Sequence, residues 1–227
     1  MSRQINFFAP GEYYHVYNRG TEKRLIFIDN ADRIRFLSLL YLCNSTIPIH
    51  RSDYFKKSFS QLLEIPREQN LVDIGAYCLM PNHFHLILHE HTEGGISTFM
   101  QKISTAYTMY FNKRYERNGS LFQGRFRAEH LSDDNYLKYM FAYIHLNPIG
   151  NIDKGWKNHQ IKNRESAIRY LDSYTFSSYL DYTESCIRIP ESKIINKLAF
   201  PKYFQTPKDF QSFIKDWVNI ANVKVQP

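Results

Sequence analysis

The spacing of apolar residues changes along this chain, and the changes mark its elements. Tyr13–Tyr17 (Tyr-Tyr-His-Val-Tyr) predicts a strand ending at the turn Asn18-Arg19-Gly20. Asp29 or Asn30 caps a helix running to about Cys43, with Ile34, Leu37 and Tyr41 on one face. Residues 44–70 lack clean periodicity and read as an irregular connection with a short helix. Val72–Leu79 and His83–His89 predict two strands joined at Met80-Pro81-Asn82. After the Gly94-Gly95 break, Ile96, Phe99, Met100, Ile103, Tyr107, Tyr110 and Phe111 recur at helical spacing. Phe126–Leu131 predicts a fourth strand. Ser132 then caps a helix with Asp133 and Asp134 in its first turn, where the helix dipole favours acids. Pro148 ends that helix at or near Asn147.

The resulting order is β-α-β-β-α-β-α. Its first six elements are those of a ferredoxin-like α+β sandwich, an antiparallel sheet packed with helices. The pattern weakens after about residue 150, until Thr206 and Pro207 open a last helix as cap and first-turn proline. The chain therefore divides into an α+β domain over 1–150 and a C-terminal extension, mostly helical and irregular, over 151–227.

Charge narrows the choice of partner. The formal net charge is +7, which favours an acidic one. Nucleic acid fits better than membrane, because the longest apolar run, Phe36–Cys43 with Ser38 inside it, is too short to span a bilayer. No charged-then-apolar signal peptide opens the chain. Cys43, Cys78 and Cys186 form no Cys-x-x-Cys pair, which argues against a disulfide framework or a cysteine zinc site. The expectation is a cytoplasmic, reduced, nucleoid-associated protein.

The chemistry centres on His83-Phe84-His85. On a strand, His83 and His85 project from one face while Phe84 and Leu86 enter the core on the other. Two imidazoles and an oxygen ligand, with open positions, suit a catalytic divalent ion such as Mg²⁺ or Mn²⁺. On the helix before Pro148, Tyr143 and Asn147 stand four apart and share a face. Tyr139 and Tyr143 have the same spacing, so spacing does not choose between them. A basic stretch, Lys113, Arg114, Arg117, Arg125 and Arg127, is interleaved with Phe111, Tyr115, Phe122 and Phe126. Such groups contact phosphates and stack on unpaired bases. The Gly119-Ser120 and Gln123-Gly124 steps predict a tight loop presenting backbone N–H groups. Arg19, in the first turn, is a further candidate.

Four segments in register resemble the IS200-like single-tyrosine (Y1) transposases, and among them the repeat-associated tyrosine transposases. They are Tyr14-His15-Val16-Tyr17-Asn18-Arg19-Gly20, Met80-Pro81-Asn82-His83-Phe84-His85-Leu86, Gly119-Ser120-Leu121-Phe122-Gln123-Gly124-Arg125-Phe126 and Tyr143-Ile144-His145-Leu146-Asn147-Pro148. A weaker echo is Tyr174-Thr175-Phe176-Ser177-Ser178-Tyr179, with Phe176 where the family tends to have Trp. After Pro148 the family often has a basic residue, whereas this chain has Ile149-Gly150.

The resemblance implies a metal-dependent nuclease in which two histidines flank a hydrophobic residue. Carried over by position, His83 and His85 are metal ligands, Tyr143 is the nucleophile, and Asn147 falls where relatives supply a third polar ligand, often Gln. The implied substrate is single-stranded DNA beside a hairpin, cleaved through a 5′-phosphotyrosine and rejoined without a nucleotide cofactor. Lys113, Arg114, Arg125 and Arg127 hold the DNA backbone, and Ser120, Gln123 and Arg19 add contacts. The chain acts as a monomer or a homodimer. Two other readings compete: a catalytically silent protein that binds DNA hairpins, and a metal-dependent hydrolase of a small substrate.

Overall fold

The computed structural model describes residues 7–48, 56–158, 160–183 and 189–220. Its elements run β1 (Tyr13–Arg19), α1 (Asn30–Leu42), α2 (Phe59–Leu62), β2 (Val72–Met80), β3 (His83–Glu90), α3 (Gly95–Arg114), β4 (Arg127–His130) and α4 (Asp134–Leu146). The 3₁₀ turn Asn147–Asn151 follows, then α5 (Arg164–Ser173), α6 (Tyr179–Tyr182), α7 (Ile189–Ser192) and α8 (Pro207–Asn219). Among the described residues, no helix is long and apolar enough to cross a membrane.

The strands form one sheet in the order β2-β3-β1-β4, with each neighbouring pair antiparallel. This is the ferredoxin-like order that the sequence predicts. Two β-α-β crossovers interleave, so each places a foreign strand between its own two. One face is covered by α1 and α3, with Val16, Phe36, Phe84, Leu86, Phe99 and Tyr107 in the largest apolar cluster. Side chains alternate along a strand, so His83, His85 and Ile87 face the other way. There α4 packs Leu137, Met140, Phe141 and Ile144 over Ala76, Cys78 and Ile87. The C-terminal elements continue that layer: Ala142 and Leu146 share a third cluster with Trp156, Leu171, Phe210 and Ile214.

Two details tie the C-terminal elements to the sheet. Leu79 donates its N–H to the Phe176 carbonyl, and Ser178 donates its N–H to the Tyr77 carbonyl. Ser178 Oγ in turn accepts from the Tyr77 N–H at 2.9 Å. The Phe176-Ser177-Ser178 echo is thus a short strap along the edge of β2, where a strand's unpaired groups would otherwise lie open. Opposite it, Gly75 sits at the β2 bulge, and a Cβ there would lie 2.7 Å from the Phe200 ring.

Several expectations shift. β1 does not end at Tyr17, because Asn18 and Arg19 still pair with Phe84 and His83. Ile34 is 40% exposed, while Leu37 and Tyr41 are buried. Asp133, not Ser132, caps α4, accepting from the Tyr136 N–H at 2.9 Å. Cys43 and Cys78 are free and buried; Cys186 lies outside the described residues.

His145, fully buried on α4, meets Ser178 Oγ through Nε2 at 2.8 Å. Burial pushes its pKa down to about 3 from an ordinary 6.5. The unfolded chain therefore takes up a proton that the folded chain refuses. Stability is present in full above about 6.5 and falls as pH drops from there toward about 3. Denaturant midpoints measured across that window should decline, and His145→Gln should flatten part of the slope. An unchanged slope in the variant would remove His145 as a contributor.

Candidate active site

The site lies where β3, β1 and β4 meet α4. His83 and His85 stand on the sheet face toward α4, with ring centroids 5.0 Å apart. The Tyr143 ring meets His85 edge-on at 5.7 Å and His15 at 6.1 Å. Tyr139, one helical turn back, instead contacts Tyr136, Tyr143 and Trp217. Of the two tyrosines that spacing left open, Tyr143 is the one placed against the histidines.

Hydrogen bonds set which imidazole nitrogens carry lone pairs. Asn82 donates its amide N–H to the Lys23 carbonyl at 3.1 Å, which turns Asn82 Oδ1 toward His83 Nδ1 at 2.7 Å. An amide oxygen only accepts, so His83 Nδ1 carries the proton and Nε2 the lone pair. His85 Nδ1 lies 2.8 Å from His15 Nε2. His15 Nδ1 faces Glu129 Oε2 at 3.7 Å, and a carboxylate favours a proton on that nitrogen. The arrangement consistent with all these contacts runs from Glu129 to His15 Nδ1–H, and from His15 Nε2 to His85 Nδ1–H. It leaves His85 Nε2 with a lone pair, and that atom is buried with no hydrogen-bond partner among the described residues.

Charge supports neutral rings. Burial lowers the pKa of His83 to about 4, helped by Lys157 and Arg19. Burial also holds His85 well below 6.5, with His15, His83 and Lys157 adding to the effect. The His15 imidazole, aided by the Tyr17 and Tyr136 hydroxyls, keeps the Glu129 carboxyl below the usual carboxylate range against the opposing effect of burial. Tyr17 donates to Glu129 Oε1 at 2.9 Å.

Two neutral imidazoles whose Nε2 atoms carry the lone pairs fit a divalent ion with open positions. Among the described residues, no group of three or more His, Cys, Asp or Glu side chains is arranged to hold a metal by itself. A third side-chain ligand among them would be of another residue type. Asn147 is buried, and its amide N–H donates to the Tyr143 carbonyl at 2.8 Å. Only its Oδ1 has a ligand's chemistry.

The proposed DNA contacts separate into groups. Arg19 bonds Gln123 side chain to side chain, and Arg19 pairs in register with His83. Arg127 stands opposite Tyr17, which stands opposite His85. Arg19, Gln123 and Arg127 therefore ring the histidines. Lys113 and Arg125 are exposed, at the end of α3 and in the loop before β4. Arg114 does not join them: its guanidinium meets Asp29 Oδ2 at 2.6 Å and the fully buried Asp32 at 2.8 Å. The tight loop also spends its backbone internally. Gln123 N–H donates to the Arg19 carbonyl and Gly124 N–H to that of Phe122, while Ser120 Oγ donates to Phe122 at 2.7 Å.

Sequence reasoning missed three members of the site. His15 and Glu129 were legible in principle, since each alternates in phase with its strand onto the histidine face. Lys157 had no local signal. It donates to the Tyr143 hydroxyl at 3.0 Å and lies over the Tyr143 and Trp156 rings.

Comparison with known proteins fits this geometry. The family model described as "Transposase IS200 like" matches residues 39–147, a span that includes His83, His85, Tyr143 and Asn147. The match spans just under half of the chain. No curated protein sequence matches it. A solved structure of the REP-associated tyrosine transposase bound to a REP hairpin overlays at TM-score 0.50 and 15% identity, covering 80% of this chain and 84% of that one. At that identity the likeness is one of fold. A tRNA(His) guanylyltransferase from Saccharomyces cerevisiae overlays at TM-score 0.37 and 11% identity, covering 92% of this chain and 86% of its own, and carries no functional argument. The IS200-like match runs from residue 39 to Asn147, so His15 lies before it and Lys157 after it.

Proposed function

We propose that this protein is an IS200-like transposase that cleaves and rejoins single-stranded DNA beside hairpins through a 5′-phosphotyrosine on Tyr143. The observation that carries the reading is the Tyr143 ring packed against His85, beside a histidine pair whose Nδ1 contacts leave the lone pairs on Nε2. The structural neighbour's REP hairpin supports hairpin DNA as the substrate form.

Tyr143 Oη attacks phosphorus, the P–O3′ bond breaks, and the strand leaves as a 3′-hydroxyl. The phenolic proton passes to water, and water returns a proton to the departing 3′ oxygen. Attack by another 3′-hydroxyl reverses the step and releases Tyr143, so joining needs no ATP because the ester conserves the bond. A divalent ion, Mg²⁺ or Mn²⁺, held by His83 and His85 with Asn147 Oδ1 as a further ligand, supplies a Lewis acid at the phosphate when bound. Asn82 and His15 fix the two ligand tautomers, and Glu129 orients His15. Arg19, Gln123, Arg127, Arg125 and Lys113 line the approach of the DNA backbone, whereas Arg114 serves the fold. The elements after residue 150 act as an extension that completes the site, since Lys157 reaches the nucleophile from there.

The test is covalent trapping. Labelled single-stranded DNA from the palindromes flanking the gene, incubated with protein and Mn²⁺ or Mg²⁺, should give an adduct on a denaturing gel. EDTA should abolish it. Undiminished adduct in EDTA would remove the metal from the reading, and hairpin binding with no adduct under any condition would favour the silent binding protein. Glu129→Gln should weaken Mn²⁺ binding roughly 10- to 100-fold, read by calorimetry, because it loosens the chain that orients His85. Unaltered affinity would sever Glu129 from the site. Arg125→Ala should lower the salt dependence of DNA binding by about one phosphate contact. An identical slope would place Arg125 off the DNA.

A further inference from the structure

Beside Tyr143, the extension closes a narrow cleft against α4. It is lined by Tyr139, Tyr143, Trp156, Lys157, Ile161 and Trp217. Tyr139 and Trp217 form one wall, with ring centroids 5.2 Å apart. Tyr143 and Trp156 form another, at 5.7 Å and 34°. Lys157 is exposed, and its ammonium is bonded to the Tyr143 hydroxyl. Except for the tyrosines and Leu146, the lining lies outside the residues matched by the family.

We propose that this cleft is the subsite for the nucleotide retained on Tyr143. The base lies against the Tyr139–Trp217 wall, and Lys157 contacts its 5′-phosphate. The inference rests on the phosphotyrosine reading and adds to it which residues hold the trapped strand end. Once Tyr143 Oη is esterified, the attached nucleotide must lie within one nucleotide's reach of that oxygen. The cleft borders that oxygen and offers what an unpaired nucleotide needs: flat aromatic surface for a base and a cation for a phosphate. Lys157 already sits where the new phosphoryl oxygens form. Aromatic stacking tolerates any base, so the subsite holds the strand end without reading its sequence.

The experiment exploits the composition of the chain. Its two tryptophans are Trp156 and Trp217, and both line this cleft, so intrinsic tryptophan emission reports on it. The full-length protein is titrated with thymidine 5′-monophosphate, and in parallel with deoxyribose 5-phosphate, which has no base. Saturable quenching by the nucleotide, at least several-fold tighter than any effect of the sugar phosphate, is expected. Lys157→Met, an exposed substitution, should weaken it roughly tenfold. No saturable quenching by the nucleotide, or equal effects of the two compounds, would overturn the subsite. Cleavage plays no part in this readout. Nucleotide binding without any trapped adduct would keep the subsite and sink the phosphotyrosine reading, and an adduct without nucleotide binding would do the reverse.

Discussion

Tyr143→Phe should abolish the covalent protein–DNA adduct while hairpin binding persists. Phenylalanine fills the same space but has no atom that can form the phosphate ester, so the loss should be complete rather than graded. The fold should barely respond. The Tyr143 hydroxyl bonds the exposed Lys157, and losing one such bond costs about 0.5–1.5 kcal/mol at most. The ring keeps its contacts with His15, His85 and Trp156. A denaturing gel with Mn²⁺ present reads the adduct, and a native gel shift reads binding. Undiminished adduct in the variant would rule out Tyr143 as nucleophile, and Tyr139→Phe would then be the next variant to trap.

Asp32→Ala should be the most damaging single change to the fold, costing about 3–5 kcal/mol in denaturant unfolding, the range for breaking a buried charge pair from one side. Asp32 is fully buried. It accepts from the Ile28 N–H at 2.8 Å, the Tyr115 hydroxyl at 2.8 Å, the Tyr110 hydroxyl at 3.0 Å and Arg114 at 2.8 Å. It also completes the capping box of α1 with Asp29. Truncation strands donors from the turn before α1, from α3 and from the chain after α3 together. Arg114→Ala should cost less, about 1.5–3 kcal/mol, because Asp32 retains its other donors. It should also leave the salt slope of DNA binding unchanged, in contrast to Arg125→Ala. A cost for Asp32→Ala below about 1 kcal/mol would show that the hub is solvated in solution.

Arg114 illustrates where local reading stops. Within Lys113–Arg127 it looks like any other cation of a basic stretch. Its partners, Asp29 and Asp32, are more than eighty residues away in sequence, and only the packing of α3 on α1 brings them within reach. The loop at Gln123-Gly124 is similar: its turn was legible, but its N–H groups face Arg19 and Phe122 because β1 runs on beyond Tyr17. Ser132 and Asp133 are both competent caps, and which one starts α4 depends on where the chain leaves β4.

Local pattern by itself determined the element order, the strand that aims His83 and His85 to one face, and the helix that stops just before Pro148, because period and capping act over a few residues. It also placed Tyr143 and Asn147 on one face of that helix. Tertiary structure decided the rest. It put Tyr143 rather than Tyr139 against the histidines, since both share a helical phase and only the docking of α4 on β2 and β3 separates them. It brought Glu129 and His15 behind His85 through sheet register, which is a pairing between distant strands. And it carried Lys157 back to the Tyr143 hydroxyl, because burying Trp156 in the cluster beneath α4 leaves the next side chain beside that oxygen.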